Sequence, residues 1–352
     1  MDLSIVILSW NTKALTRNCL RSIFDNVKDI AFETIVVDND SSDGSADMVA
    51  REFPQIKLIR NSENLGFTKG NNQGFKESEG EYILFLNSDT ITPPPDFDSV
   101  ILAEAGIQKA NIERNADALN PRLRGGDNRR SDSDDKKSQL RKMVDKMHED
   151  KSIGMLTPKL IYPDGKFQDE YYRKLPSITQ TFWVYLAPFN KLTHRIKFLR
   201  KRFLSDLDPN KSRYADDFNI PGAAPLMSRE AHKKIGGRDE NIFYWLEDVD
   251  LCWSLKKAGY KLYYLADATI IHLGGRSNAM WEDLRKMLDF RRGYVYVFRK
   301  HKGKFQGFIV KWMFILDALL LIFPVFAIGL FAKKYRGKAN VFWQFALKFL
   351  KT

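Results

Sequence analysis

The sequence predicts an α/β fold: a doubly wound, Rossmann-like mixed sheet flanked by helices, followed by a C-terminal membrane-associated helical tail. Three observations predict it. Over the first ~100 residues, apolar runs of strand length alternate with segments of helical period. Those runs are apolar on both faces, as expected of strands covered by helices on either side. Residues 291–352 hold 13 Lys and Arg against one acidic residue, Asp317, which accounts for the whole net charge of +12.

The elements follow in order. Leu3–Leu8 is a strand, and Leu15, Cys19, Leu20, Ile23, Phe24 and Val27 recur at helical spacing after it. Glu33–Asp38 is a second strand, stopped by the turn cluster Asn39–Gly44. A short helix over Ser45–Phe53, a third strand over Ile56–Ile59 and a fourth over Tyr82–Leu86 complete the repeat. Ligands of such sheets bind beyond the strand C-termini, where Ser9–Asn11, Asp38–Asn39 and Asn87–Asp89 fall. Residues 98–161 contain no aromatic, and Ala105–Asp150 reads as a charged, solvated insertion, helical in part or disordered. Patterning resumes at Ile153–Leu156. Residues 171–205 mix aromatics and basic side chains without a clear period. Pro221–Met227 reads as a tight approach and short strand, and a helix starts at Ser228–Glu230. A helix from Leu246 to Ala258 stops at Gly259, and two short strands lie near Lys261–Leu265 and Thr269–His272.

Trp312–Ala332 is 21 residues with one charge, Asp317, long enough to cross a ~30 Å hydrocarbon core. Asp317 and Pro324 weaken a simple span, and basic residues on both flanks leave its orientation undetermined. A kinked hairpin in one leaflet and a buried core helix stay open beside the span. The domain reading is therefore 1–104, the insertion 105–150, 151–290, and the basic tail 291–352.

Composition narrows the class. With 44% hydrophobic and 28% charged residues, the chain is neither disordered nor collagen-like. Two cysteines far apart, Cys19 and Cys252, make no disulfide framework or thiolate zinc site and fit a reduced, cytosolic setting. Met1–Ser4 lacks a basic n-region, so no cleaved secretory signal is expected. A neutral body with a basic, greasy tail favours an anionic membrane face over nucleic acid as partner.

Four acidic positions stand out: Asp38, Asp89, Glu247 and Asp248. Each alone has an ordinary explanation, as a turn former or as a complement to a helix dipole. Together, on one sheet edge, they point to a site for a metal and a polyphosphate. The ordered set Ser4–Asn11, Val36–Asn39 with Ser41–Ser45, Asn61–Gly66 with Asn71–Gly74, Leu86–Asp89, Glu247–Trp253 with Ala258–Tyr260, and His272–Ser277 resembles a family 2 inverting glycosyltransferase of GT-A fold. It is most similar to the rhamnosyltransferase-like branch that builds bacterial cell-surface polysaccharides, over residues 3–97 and 153–290.

The resemblance implies roles. Asp38 would read the base or ribose, with backbone groups of Ser9 to Asn11 nearby; Asn64, Gly66 and Asn71 would line the nucleotide-sugar pocket, and Asn39 and Asn87 would be further substrate-binding residues. Asp89 would hold Mg2+ or Mn2+, a hard cation suited to oxygen ligands and diphosphate, and His272 would be a further metal ligand or a diphosphate contact. Asn87 stands where many relatives carry the first acid of an Asp-x-Asp motif, which leaves one carboxylate at the metal. A structural histidine is the other reading of His272. Asp248 would be the general base and Glu247 its partner, a choice that sequence alone does not close. Gly222 would lie under the donor sugar. Trp245 and Trp281 would stack on acceptor sugars or pack in the core. The implied activity moves a hexose, rhamnose foremost, from a nucleoside-diphosphate sugar to a lipid-linked saccharide at the cytoplasmic face of the cell membrane. A processive synthase and a catalytically dead nucleotide-sugar-binding scaffold are the alternatives.

Overall fold

A computed structural model describes residues 1–97, 137–186, 189–242, 245–274, 284–331 and 338–350. Strand β1 (Leu3–Ser9) leads into α1 (Lys13–Asn26), β2 (Phe32–Asp38), α2 (Ser45–Glu52), β3 (Lys57–Arg60), α3 (Phe67–Lys76) and β4 (Tyr82–Asn87). Then come β5 (Thr90–Ile91), α4 (Gln139–Glu149), β6 (Ile153–Ile161), α5 (Ile178–Tyr185), α6 (Phe189–Arg195), α7 (Lys197–Phe203) and β7 (Arg213–Tyr214). The rest is β8 (Leu226–Ser228), α8 (Arg229–Lys234), α9 (Glu247–Lys257), β9 (Lys261–His272), α10 (Leu284–Lys302), α11 (Lys304–Phe331) and α12 (Lys338–Leu350).

The strands form one mixed sheet in the order β3-β2-β1-β4-β8-β6-β9-β5, with β7 on β9. β1, β2, β3 and β4 run parallel, and β8 turns antiparallel between β4 and β6. The doubly apolar strands sit where both faces are covered: Ile5, Val6, Ile35, Val36, Ile83 and Leu84 are fully buried. Two glycines set how closely α3 lies on the sheet. A Cβ on Gly70 would come within 2.4 Å of Leu8 Cδ1, and one on Gly74 within 2.3 Å of Val6 Cγ1. The Asn71–Gly74 motif is thus partly a packing motif.

Several sequence expectations change. The segment read as a solvated insertion through residue 150 is, over Gln139–Glu149, a helix that buries Leu140, Met143, Val144 and Met147 in the main core. Its apolar positions follow the i, i+3, i+4, i+7 rule inside a charged sequence, which hid them. The remainder of that segment, 98–136, lies outside the described residues. The two strands expected between Lys261 and His272 are one strand with a register shift against β6. The aperiodic stretch 171–205 contains three short helices, α5 to α7. Cys19 and Cys252 are both buried and unpaired.

The tail also differs. The boundary expected at residue 290 falls inside α10, which packs with α11 and α12 against α9 in a second core of Val249, Trp253, Met287, Phe298, Phe314 and Phe349. Asp317 is buried in an ion pair with Arg291 at 2.8 Å. Among the described residues, no helix is long and apolar enough to cross a membrane, so the spanning reading of Trp312–Ala332 is not carried by them.

Candidate active site

The parallel strands end on one edge, and the register fixes which side chains meet there. Ser9 pairs with Asp38, and Leu8 with Asn87, so Asp38 and Asn87 end strands two apart, about 10 Å across the sheet. Asp38 is 3% exposed. Its Oδ2 accepts from Ser41 N–H at 2.9 Å, while Oδ1 is buried without a partner. A buried acceptor without a donor is uncommon and marks this end of the edge as a candidate contact.

The side chains of four expected binding residues brace the loops around this edge. Ser9 is fully buried, its hydroxyl bonded to Thr16 and Thr12. Asn11, at φ 53°, accepts from the backbone and hydroxyl of Ser42 and so ties the β1 loop to the β2 loop. Asn39 donates to Asn64 Oδ1 and Gly66 O and accepts from Asn61 Nδ2 and Leu65 N–H. Asn71 is buried and gives its amide hydrogen to Phe67 O, one helical turn back. Short polar side chains at strand ends are consumed by the loops they organise. Asn64 stays on the exposed rim. Gly66 takes φ 83°, ψ 176°, a conformation open only to glycine, as α3 begins.

Strands β5 and β9 bring the next pair together. Thr90 pairs with His272, and Asp89 Oδ1 lies 3.4 Å from His272 Nε2. Gln168, unforeseen from sequence, holds the ring. Its Nε2 donates to His272 O at 2.7 Å, which leaves Oε1 to accept from Nδ1 at 3.0 Å. The ring therefore carries a hydrogen on Nδ1 and turns Nε2 toward the Asp89 carboxylate. Two electron-pair donors at that spacing fit a shared cation, and an orienting amide behind a ligating imidazole is the usual second partner. Among the described residues no third His, Cys, Asp or Glu joins them, so a cation here would draw its other ligands from substrate and water. Asn87, half-buried beside them, offers an amide rather than a charge.

The second acidic centre is built onto the same edge. Asn87 N–H donates to Ala223 O at 2.9 Å, and an added Cβ on neighbouring Gly222 would lie 3.9 Å from Glu247 Oε1. Trp245 and Leu246 both take left-handed backbone conformations, φ 58° and 71°, just before α9. Two such residues in succession are strained and are held by packing: Trp245 stands edge-on to Phe290 at 6.0 Å, and Leu246 is buried in the tail core. Trp245 therefore packs against α10 while staying partly exposed. The turn delivers Glu247 and Asp248 at the first turn of α9. Asp248 accepts from Asn219 Nδ2 at 2.9 Å and from Val249 N–H at 2.8 Å. Glu247 Oε2 is buried without a partner. Burial, reinforced by the Asp248 charge, pushes the Glu247 carboxyl up to about 7. Burial also raises Asp248, against the lowering pull of its two donors. Behind them lies Arg238, 3% exposed, which burial lowers to about 10, so it stays a cation at neutral pH.

Asp38, Asn87, Gly222, Glu247 and Asp248 are thus linked along one strand edge by successive contacts, with the Asp89–His272 pair beside them. Sequence reading missed Gln168, Asn219 and Arg238. Only Arg238 left a local signal, a lone cation between Gly236–Gly237 and Asp239. Trp281 and the Gly275–Ser277 part of the histidine motif lie outside the described residues.

Comparison with known proteins places this geometry. Residues 4–106 match the model of Glycosyl transferase family 2. Over 281 residues the chain is 24% identical to an N-acetylglucosaminyl-diphospho-decaprenol L-rhamnosyltransferase of Mycobacterium tuberculosis, covering 76% of this chain and 75% of that one. Over 94 residues it is 35% identical to the glycosyltransferase YfnE of Bacillus subtilis, covering 26% and 24% of the two chains. Among solved structures, GalNAc-T7 with UDP, GalNAc and Mn2+ superposes with a TM-score of 0.50 at 14% identity, covering 85% of this chain and 48% of that one, which is a likeness of fold.

Proposed function

The chain is a glycosyltransferase of family 2, and on that premise we propose that it catalyses metal-dependent, inverting transfer of a hexose, rhamnose foremost, from a nucleoside-diphosphate sugar to a lipid-linked saccharide. The mycobacterial relative's name supports both the sugar and the lipid-linked acceptor. The observation that carries the chemistry is the half-buried Glu247–Asp248 pair, with Glu247 held against Gly222 beside Asn87.

In this reading Asp38 Oδ1 takes a hydroxyl or ring N–H of the nucleoside, the donor that it lacks in the free protein. Asp89 and His272 hold Mg2+ or Mn2+ together with the diphosphate; when bound, the cation offsets the charge that develops on that leaving group. Asp248 takes the proton of the acceptor hydroxyl as its oxygen attacks the anomeric carbon and the bond to the diphosphate breaks on the opposite face. One proton shared by the coupled pair resides on Glu247, the weaker acid, which leaves Asp248 ionised and aimed by Asn219 and Val249 N–H. Glu247 then positions a hydroxyl.

A lipid-linked acceptor would require the membrane within reach, and we place the protein at its cytoplasmic face. Phe305, Phe308, Trp312, Leu316 and Leu319 form an exposed apolar stripe along α11, opposite the stripe that packs on α10 and α12, with Lys304 and Lys311 beside it. Such a helix lies in the interface of an anionic bilayer without crossing it.

The test is Asp248→Asn. It should bind donor as the wild type does yet release no nucleoside diphosphate in the presence of Mn2+ and acceptor. Full activity in that variant refutes the assignment of the base.

A further inference from the structure

Arg238 is the buried charge that the chemistry above does not use. Its backbone is clamped: Asn72 on α3 donates to Arg238 O at 2.9 Å and accepts from Arg238 N–H at 3.1 Å. Its guanidinium stacks on Phe85 of β4, 4.4 Å from the ring centroid, and lies 5.5 Å from that of Phe67 at the start of α3. Those residues stand next to Asn87 and Gly66, so the cation lies beneath the strand edge that carries the site. Nε, Nη1 and Nη2 all lack an acceptor. A guanidinium offers five donors in a planar fork, and leaving it bare away from water is among the most costly ways to bury a polar group.

Its neighbours say what the fork awaits. On one side His232 is fully buried against Phe75 and Phe85 and gives it no acceptor. Glu247 and Asp248 act on its charge but make neither a hydrogen bond nor an ion pair with it. The site thus leaves bare both a cation lacking acceptors and Glu247 Oε2, an acceptor lacking a donor. A hydroxyl accepts from the one and donates to the other. A carboxylate on the ligand would meet the fork but also crowd two acidic side chains.

Resting on the transfer reading above, we propose that Arg238 is a donor-sugar-binding residue: its fork donates to neutral hydroxyls of the transferred sugar, one of which donates to Glu247. The pocket then selects an uncharged hexose over a uronic acid. The cation is retained for recognition at the expense of the empty protein's stability.

The experiment measures binding by the full chain, with Mn2+, of UDP, dTDP, GDP and CDP and of the corresponding neutral and uronic-acid sugar nucleotides. The wild type should bind one neutral sugar nucleotide more tightly than its bare diphosphate. Arg238→Met should bind that diphosphate within twofold of wild type while the gain from the sugar falls at least tenfold. Arg238→Lys, a point charge without the fork, should recover only part of it. The melting temperature of ligand-free Arg238→Met should equal or exceed the wild type's. Retention of the sugar's contribution in Arg238→Met overturns the proposal. So does a lowered melting temperature with loss of bare diphosphate binding, which marks a structural role, and so does preference of the wild type for a uronic acid. Failure of the wild type to bind any diphosphate overturns the transfer reading and this inference with it.

Discussion

At the residue scale, the adjacent carboxyls Glu247 and Asp248 differ because their surroundings differ. Asp248 has two donors and Glu247 Oε2 has none, so burial raises Glu247 to about 7. A raised carboxyl binds its proton more tightly folded than unfolded. Its contribution to stability is therefore full below the ordinary value near 4.5 and is lost as pH rises through about 7. Glu247→Gln removes that loss and should gain on the order of 1–3 kcal/mol over wild type at pH 8 but little at pH 4, as urea unfolding at the two pH values will read. Asp248 is the base and burial raises it, so the rate should fall with acid as Asp248 takes up a proton, at a pH above the ordinary aspartate range; a rate that does not fall until the protein unfolds would exclude Asp248 as the base. At the opposite end, Gly222→Ala should fold normally, since its methyl would sit at an ordinary 3.9 Å from Glu247 Oε1. It should still weaken sugar transfer by tenfold or more if the donor sugar lies over that backbone. The residue types at this centre were legible in sequence. Which carboxyl is bare was not, because Asn219 arrives from 29 positions away.

At the element scale, α9 is held between the sheet and the tail. Asp250, one turn into α9, accepts from Lys300 at 2.9 Å and meets His301 Nε2 at 2.7 Å, both on α10. The helix that carries Glu247 and Asp248, the proposed catalytic pair, is thus bolted to the segment that sequence assigned to membrane attachment. Periodicity gave α9 to within a residue at each end, since Val249, Cys252 and Trp253 mark its apolar face. It did not give the strained Trp245–Leu246 turn, whose left-handed backbone is held by packing of both side chains on the tail core. The Arg291–Asp317 pair ties α10 to α11 with both side chains almost fully buried. Asp317→Asn would leave Arg291 charged without its counter-ion and should cost about 3–5 kcal/mol. The double variant Arg291→Met, Asp317→Leu should recover most of it, and hydrogen exchange across α10 and α11 would report both. Equal stability of Asp317→Asn and wild type would mean that the pair contributes nothing to docking the tail.

At the scale of the whole molecule, the tail has two faces, and they separate two roles. One closes a core with α9, so truncation inside α10 would bare Trp253 and confound anchoring with unfolding. The other presents Phe308, Trp312 and Leu316 at about half exposure. Replacing those three with serine should leave the melting temperature within a few degrees of wild type and abolish sedimentation with phosphatidylglycerol vesicles. Unchanged sedimentation would place the membrane contact elsewhere. By itself the sequence determined the alternation of strands and helices and the strand edge at which Asp38, Asn87 and Asp89 stand. Those follow from local pattern: apolar runs need cover on both faces, and a strand's C-terminal residue projects at the sheet edge wherever the strand pairs. Only the tertiary structure decided the rest. It turned Ser9, Asn11, Asn39 and Asn71 into braces, seated Trp245 on α10, buried α4 and set a bare Arg238 behind Glu247. Hydrogen-bond satisfaction and burial are set by neighbours distant in sequence, so no local pattern encodes them.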